Sequence, residues 1–137
     1  MYRVTKVIEF CYGHRLMDYE GTSIALHGHS ARLLVTLGTE MLDETGFVRE
    51  FGEVKRTIKD WVDKNFDHVM LMRSDDPFLP LLKEHNEPIF EMELNPTSEN
   101  ICKIIFDYAE SEGLPVLEVQ LWETPTSSAS YRKGNSV

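Results

Sequence analysis

The sequence has little that would place it in a membrane, on nucleic acid or in a disulfide-linked fold. No run approaches the roughly 20 apolar residues of a spanning helix, and Glu9 interrupts the first apolar stretch before it reaches signal-peptide length. Basic residues are few: 14 Lys and Arg stand against 23 Asp and Glu, a net charge of −9 that repels phosphates. Cys11 and Cys102 are too few for a disulfide framework. We expect a cytoplasmic protein with reduced thiols that binds neither nucleic acid nor membrane.

The composition is that of a folded protein. Hydrophobic residues make up 42% of the chain, charged residues 27% and aromatic residues 10%, which are ordinary values for a globular domain. A chain of 137 residues is long enough to bury a core without disulfide bonds, and no repeat or flexible linker divides it. We predict one domain that spans residues 1–137.

The spacing of apolar residues predicts an α+β fold. Alternating patterns indicate strands at residues 2–10, 27–37, 47–51, 89–94 and 116–122. The first three should form an antiparallel meander, with a turn at 43–46 between the second and the third. Helical spacing predicts one helix near 52–65 and a second from the N-cap Thr97 to Gly113, with a surface loop over 72–88 that has room for one short helical turn. We expect an antiparallel sheet with both helices on one face, and a partner subunit on the other, apolar face.

Three of the five histidines fall within 16 residues. His27 and His29 flank Gly28 and project to the same side of a strand, so both can bind one metal ion. An antiparallel pairing would bring His14, just past the end of the neighbouring strand, beside them. Three imidazoles with one open position are the ligand set of a catalytic zinc ion. The residues alone leave open that these are surface or hydrogen-bonded core histidines.

Six motifs resemble, in order and over nearly the whole chain, the 6-pyruvoyltetrahydropterin synthase / 6-carboxytetrahydropterin synthase family. They are residues 10–16 (FCYGHRL), 26–29 (LHGH), 46–51 (GFVREF), 67–68 (DH), 96–100 (PTSEN) and 123–124 (ET). The resemblance implies the tunnelling fold (T-fold), in which subunits join their sheets into a β-barrel, typically a hexamer built as a dimer of trimers. It implies a Zn²⁺ ion on His14, His27 and His29, and a lyase that converts 7,8-dihydroneopterin triphosphate into 6-carboxytetrahydropterin or 6-pyruvoyltetrahydropterin.

The resemblance also implies roles for an aspartate–histidine pair and a glutamate. Asp67 and His68 match a proton-relay pair in which the carboxylate orients the imidazole. Without the resemblance, the two would be interpreted as a charged pair at a helix end. Glu123 matches the glutamate that binds the pterin, because a carboxylate can accept hydrogen bonds from the 2-amino group and ring N3.

Two residues at a helix start and three cations complete the expected site. Thr97 and Glu99 match the helix start that lines the pterin pocket, although their placement also suits helix capping. The triphosphate needs positive charge nearby, and the candidates are Arg15, Lys55 and Arg132.

One position departs from the family. Four residues before His27 the synthases have a cysteine that takes a proton from the substrate side chain, and here that catalytic position holds Ser23. A thiol titrates near ~8.5, whereas a serine hydroxyl stays protonated unless a strong base lies beside it. Ser23 is therefore a poor base. Cys11 offers another thiol, but its position in a strand indicates a small core residue.

Ser23 keeps three other functions open. Family members with glutamate at this position are linked to an aldolase-type cleavage that gives 6-hydroxymethyl-7,8-dihydropterin on the folate route. The second alternative is a catalytically silent, zinc-dependent pterin-binding protein. The third is a structural oligomer whose histidines bind metal only for stability.

Overall fold

A computed structural model describes residues 1–134 of the chain. Within them six strands form one sheet: β1 (Tyr2–His14), β2 (His27–Thr39), β3 (Val69–Arg73), β4 (Ile89–Met92), β5 (Val116–Thr124) and β6 (Ser127–Tyr131). The helices are α1 (Phe51–Val54), α2 (Asp60–Asn65), α3 (Leu79–Glu84) and α4 (Ser98–Ser111). A π-helical stretch, Lys55–Lys59, joins α1 to α2, and Thr22–Ile24 is a 3₁₀ turn. None of the helices in this part of the chain is long and apolar enough to span a bilayer.

The sheet has the order β4-β3-β1-β2-β5-β6 and is mixed. Strand β1 pairs antiparallel with β2 and parallel with β3, and β3 pairs parallel with β4. The expectation of an antiparallel sheet is therefore wrong at this edge. The chain from β3 to β4 crosses over through α3, and a connection of that length and kind places the next strand parallel.

The core lies between the sheet and the helices. Even-numbered residues of β1 and odd-numbered residues of β2 point to this side, where Ile8, Phe10, Leu33 and Val35 are buried. The predicted helices near 52–65 and after Thr97 are confirmed, and Thr97 caps α4 by accepting a hydrogen bond from the Asn100 amide. The α+β class is therefore as the sequence patterns indicate.

The sheet face without helices differs from the expectation. It is not apolar: its exposed residues on β1 include Arg3, Thr5, Glu9 and Cys11. Strand β2 adds Arg32 to the same face, 3.6 Å from the Glu9 carboxylate. The alternation that buries the core side chains therefore leaves mostly polar ones on this side.

Three other local features differ from the prediction. Residues 47–51 form no strand, because Asp43 Oδ1 accepts hydrogen bonds from Thr45 and Phe47, and the chain enters α1 directly. The predicted loop over 72–88 begins inside β3, while the short helical turn expected in it is α3. Strand β6, with the polar sequence SSASY, was not expected at all.

A buried ion pair fixes the segment that follows β1. Arg15 Nε donates to Asp76 Oδ2 at 2.7 Å, and both residues are buried. The same guanidinium donates to the Ile24 carbonyl and lies over the Phe78 ring. Because its guanidinium is engaged in these contacts, Arg15 is no longer a candidate for binding the triphosphate. The other two candidates, Lys55 and Arg132, are exposed.

We expect Asp76→Ala to lower the free energy of unfolding by about 3–5 kcal/mol, because it leaves the buried Arg15 charge without its partner. Urea denaturation measures the change. Asp75→Ala is the matched control: Asp75 pairs with Arg73 at the surface, so its loss should have a far smaller effect. Equal effects of the two substitutions would contradict the assigned role of the buried pair.

Candidate metal and pterin site

Strand pairing brings the three histidines together. In the register of β1 and β2, His14 lies opposite His27, and Tyr12 lies opposite His29. Their side chains therefore share the face that carries the core. His14 Nε2 is 2.9 Å from His27 Nε2 and 3.2 Å from His29 Nε2, and one ligand nitrogen from each ring lies within 4.8 Å of the others.

Backbone carbonyls orient two of these rings. His14 Nδ1 lies 2.7 Å from the Pro96 carbonyl, and His27 Nδ1 lies 2.7 Å from the Ala25 carbonyl. A carbonyl only accepts, so both Nδ1 atoms carry the proton, and both Nε2 lone pairs face each other. Burial lowers the pKa of His14, which disfavours a proton between the rings. The donor set therefore fits a metal ion, and three imidazoles suit Zn²⁺.

Glu123 lies beside this cluster. Its Oε1 accepts a hydrogen bond of 2.8 Å from the Tyr12 hydroxyl, and its Oε2 is 3.8 Å from His29 Nε2. Burial, reinforced by the neighbouring carboxylate, raises the pKa of Tyr12, so the phenol stays protonated and donates. Tyr12 was missed by the sequence reasoning, although it shares a strand face with His14. The carboxylate keeps free lone pairs with which to bind a ligand.

Asp67 and His68 directly precede β3 and lie at the edge of β1 that faces away from β2. The His68 amide donates to the Cys11 carbonyl at 2.6 Å, and Asp67 Oδ1 accepts from the Cys11 amide at 3.0 Å. His68 Nδ1 is 3.1 Å from Asp67 Oδ1, and the His68 side chain is 78% exposed. The pair thus forms as expected but does not touch the imidazole cluster. A cavity of about 640 Å³ is lined by His27, His29 and His68.

The structure places Ser23 in the 3₁₀ turn, and Thr97 and Glu99 at the start of α4. Ser23 is half-buried in the 3₁₀ turn, its carbonyl accepts from the Leu16 amide, and it lines neither cavity described for residues 1–134. Thr97 uses its hydroxyl as the N-cap of α4, one residue after the carbonyl that orients His14. Glu99 is exposed and accepts a hydrogen bond from Ser98.

The fold and the site define an α+β protein of the T-fold type with a cluster of three histidines at the end of its sheet that could hold a metal ion. The sequence model of 6-pyruvoyl tetrahydropterin synthase matches residues 3–134. The chain belongs to this family. A curated relative, 6-carboxy-5,6,7,8-tetrahydropterin synthase of Rickettsia bellii, is 34% identical over 132 residues, covering 91% of this chain and 96% of the relative. The enzyme of that name from Aquifex aeolicus is 32% identical, with 96% and 98% covered.

Solved structures support the fold. The 6-pyruvoyl tetrahydropterin synthase of Caenorhabditis elegans superposes with a TM-score of 0.73 at 21% identity, covering 97% of this chain and 96% of that one. An uncharacterized protein from Wolinella succinogenes gives a TM-score of 0.80 at 23% identity, with 96% and 98% covered. The T-fold expected from the sequence motifs is therefore confirmed for the single subunit.

Proposed function

We propose that this chain is a zinc-dependent lyase of pterin metabolism that converts 7,8-dihydroneopterin triphosphate into 6-carboxytetrahydropterin or 6-pyruvoyltetrahydropterin. The observation that carries the proposal is the cluster of His14, His27 and His29, whose Nε2 atoms converge and in which backbone carbonyls fix the tautomers of His14 and His27. Membership of the family and relatives named 6-carboxy-5,6,7,8-tetrahydropterin synthase support the same substrate class.

In this proposal, metal binding, pterin binding and proton transfer are carried out by different residues. A zinc ion held by the three imidazoles would polarise hydroxyl groups of the substrate side chain and lower their pKa. Glu123, fixed by Tyr12, accepts hydrogen bonds from the 2-amino group and N3 of the pterin. His68, oriented by Asp67, moves protons.

Three further residues belong to the proposed site by their position. Thr97 and Glu99, at the start of α4, match the helix start that lines the pterin pocket in the family, and Ser23 stands where the synthases have their cysteine. Because a serine is a poor proton acceptor, the wild-type rate should be low.

We expect the chain to form a homo-oligomer, a hexamer built as a dimer of trimers. Strands β4 and β6 each have one unpaired edge within the described residues, and Met41, Phe47 and Phe51 expose apolar surface. The polar sheet face suits the water-filled interior of a barrel. Light scattering at micromolar concentration should give the mass of a hexamer of 15.8 kDa chains, and a particle of one chain's mass would contradict the assembly.

The products formed by the zinc-loaded protein test the proposed function. Incubation with 7,8-dihydroneopterin triphosphate, followed by mass spectrometry of the pterins, should yield 6-carboxytetrahydropterin or 6-pyruvoyltetrahydropterin. Formation of 6-hydroxymethyl-7,8-dihydropterin would instead show the aldolase reaction. Bound but unchanged substrate would indicate a pterin-binding protein, and no binding would indicate histidines that serve stability alone.

A further inference from the structure

We propose that the Tyr12 hydroxyl keeps Glu123 available for the pterin by holding its carboxylate away from a metal ion bound at the three imidazoles. Tyr12 is then a positioning residue that acts through Glu123. The inference rests on the function proposed above and adds to it the group that decides which of two ligands, a pterin or a metal ion, the carboxylate contacts.

The Glu123 carboxylate lies close enough to the imidazoles to compete for a metal ion. Its Oε2 is 3.8 Å from His29 Nε2, and its side chain is 23% exposed. Carboxylate oxygens are ordinary zinc ligands, and a cation attracts a partly buried carboxylate strongly because little water screens the charges. Yet within residues 1–134 the ligand atoms that all lie within 4.8 Å of one another come from His14, His27 and His29. Glu123 is therefore beside the cluster but not part of it.

A hydrogen bond from Tyr12 holds Glu123 in this place. The Tyr12 hydroxyl donates to Glu123 Oε1 at 2.8 Å, and the other oxygen, Oε2, is the one that approaches His29. Hydrogen bonds to a charged oxygen are among the stronger ones in proteins. A glutamate side chain has several rotatable bonds, so without this hydrogen bond its carboxylate can turn toward a cation. The hydroxyl therefore sets the distance between the carboxylate and the imidazoles.

The Tyr12 ring is held firmly, so its hydroxyl is a fixed point. The residue is 3% exposed, and the centroid of its ring lies 5.2 Å from that of His14 and 5.7 Å from that of His29. Its backbone lies between two paired strands, opposite His29 of β2 on one side and Val69 of β3 on the other. Close packing and strand pairing thus restrain the carboxylate through the hydroxyl.

The restraint matters because Glu123 has a different task in the proposed function. It accepts hydrogen bonds from the 2-amino group and N3 of the pterin, which requires lone pairs that no cation occupies. A carboxylate bound to the metal ion would also take the position that three imidazoles leave open for substrate. One hydroxyl thus keeps pterin binding and metal binding on separate side chains.

Zinc affinity tests the restraint without any turnover. Tyr12→Phe removes the hydroxyl but keeps the ring, and competition with a chromophoric chelator measures the affinity. We expect Tyr12→Phe to bind zinc at least about threefold more tightly than the wild type, because the released carboxylate adds a ligand. Adding Glu123→Gln to Tyr12→Phe should abolish the gain. A hydroxyl that only supports the fold predicts equal or weaker zinc binding in Tyr12→Phe, and that result would overturn the proposal.

Pterin binding gives a second readout. Neopterin, a fluorescent pterin, is titrated into the zinc-loaded and the metal-free protein. Relative to the wild type in the same form, Tyr12→Phe should weaken neopterin binding at least about tenfold with zinc but less than about threefold without metal, because only a cation draws Glu123 away. Equal losses in the two forms would contradict the proposed restraint.

Tyr108→Phe is the matched control. The Tyr108 hydroxyl also donates to a glutamate, Glu112, at 3.2 Å, but near the end of α4. Its loss should leave the affinities for zinc and neopterin unchanged. A wild type that binds zinc but no neopterin defeats the function proposed above, and the zinc affinities then decide on Tyr12. A wild type without measurable zinc affinity would overturn the inference itself.

Discussion

Replacing His27 by alanine should release the metal ion and abolish product formation. The wild type should contain about one zinc ion per chain, measured by plasma mass spectrometry after gel filtration. Loss of a hydrogen-bonding partner behind a ligand already costs 10–100-fold in metal affinity, so loss of the ligand itself should cost more than about 100-fold. The remaining pair, His14 and His29, would bind zinc too weakly to survive purification.

A matched control separates ligand loss from unfolding. His85→Ala removes an exposed imidazole away from the cluster and should leave the zinc content unchanged. Circular dichroism should show that the variants at His27 and His29 keep their secondary structure. Stoichiometric zinc in both His27→Ala and His29→Ala would show that the ion binds elsewhere, and the assigned site would be wrong.

The second large effect is a gain. Ser23→Cys should raise formation of 6-carboxytetrahydropterin or 6-pyruvoyltetrahydropterin at least tenfold over the wild type, since a positioned base usually contributes about 10²- to 10⁴-fold. Under the proposed function, the imidazole cluster, the Asp67–His68 pair and Glu123 already surround the substrate in the assembled site, and the substitution adds a thiol that ionises far more readily than a serine hydroxyl. Pterin binding should change little, because Glu123 supplies the anchoring hydrogen bonds.

Ser128→Cys is the control for this gain. It adds a thiol at an exposed position of β6 and should leave turnover unchanged. The opposite outcome is equally informative. If the wild type turns over rapidly and Ser23→Cys slows it, Ser23 serves a different chemistry, and the aldolase reaction with His68 as the principal base replaces the synthase reaction.

The sequence predicts the centre of the sheet well because alternation there is strong. The even-numbered residues of β1 and the odd-numbered residues of β2 form one buried face, and that register alone places His14 beside His27. The strands at the edges were harder. Strand β3 has only five residues, and β6 is polar, so neither carries the periodic apolar pattern on which strand prediction depends.

The candidate site shows the same division. The sequence predicts the shared face of His27 and His29, because they lie two residues apart on a strand. It does not predict the backbone carbonyls of Ala25 and Pro96 that orient two of the rings, because every residue has a carbonyl. The contact of Cys11 with Asp67 depends on where the chain turns after α2, where His68 takes a positive φ of 58°. That turn is a tertiary outcome, so a linear motif could not show which part of the chain lies beside the pair.

The most direct measurement is the metal dependence of product formation by the purified wild type. Pterins formed from 7,8-dihydroneopterin triphosphate are identified by mass spectrometry before chelation, after removal of the metal, and after one equivalent of Zn²⁺ is restored. We predict a tetrahydropterin product that disappears on chelation, returns with zinc, and does not return in His27→Ala. A product that persists in the metal-free protein, or in His27→Ala, would contradict catalysis at the three-histidine site.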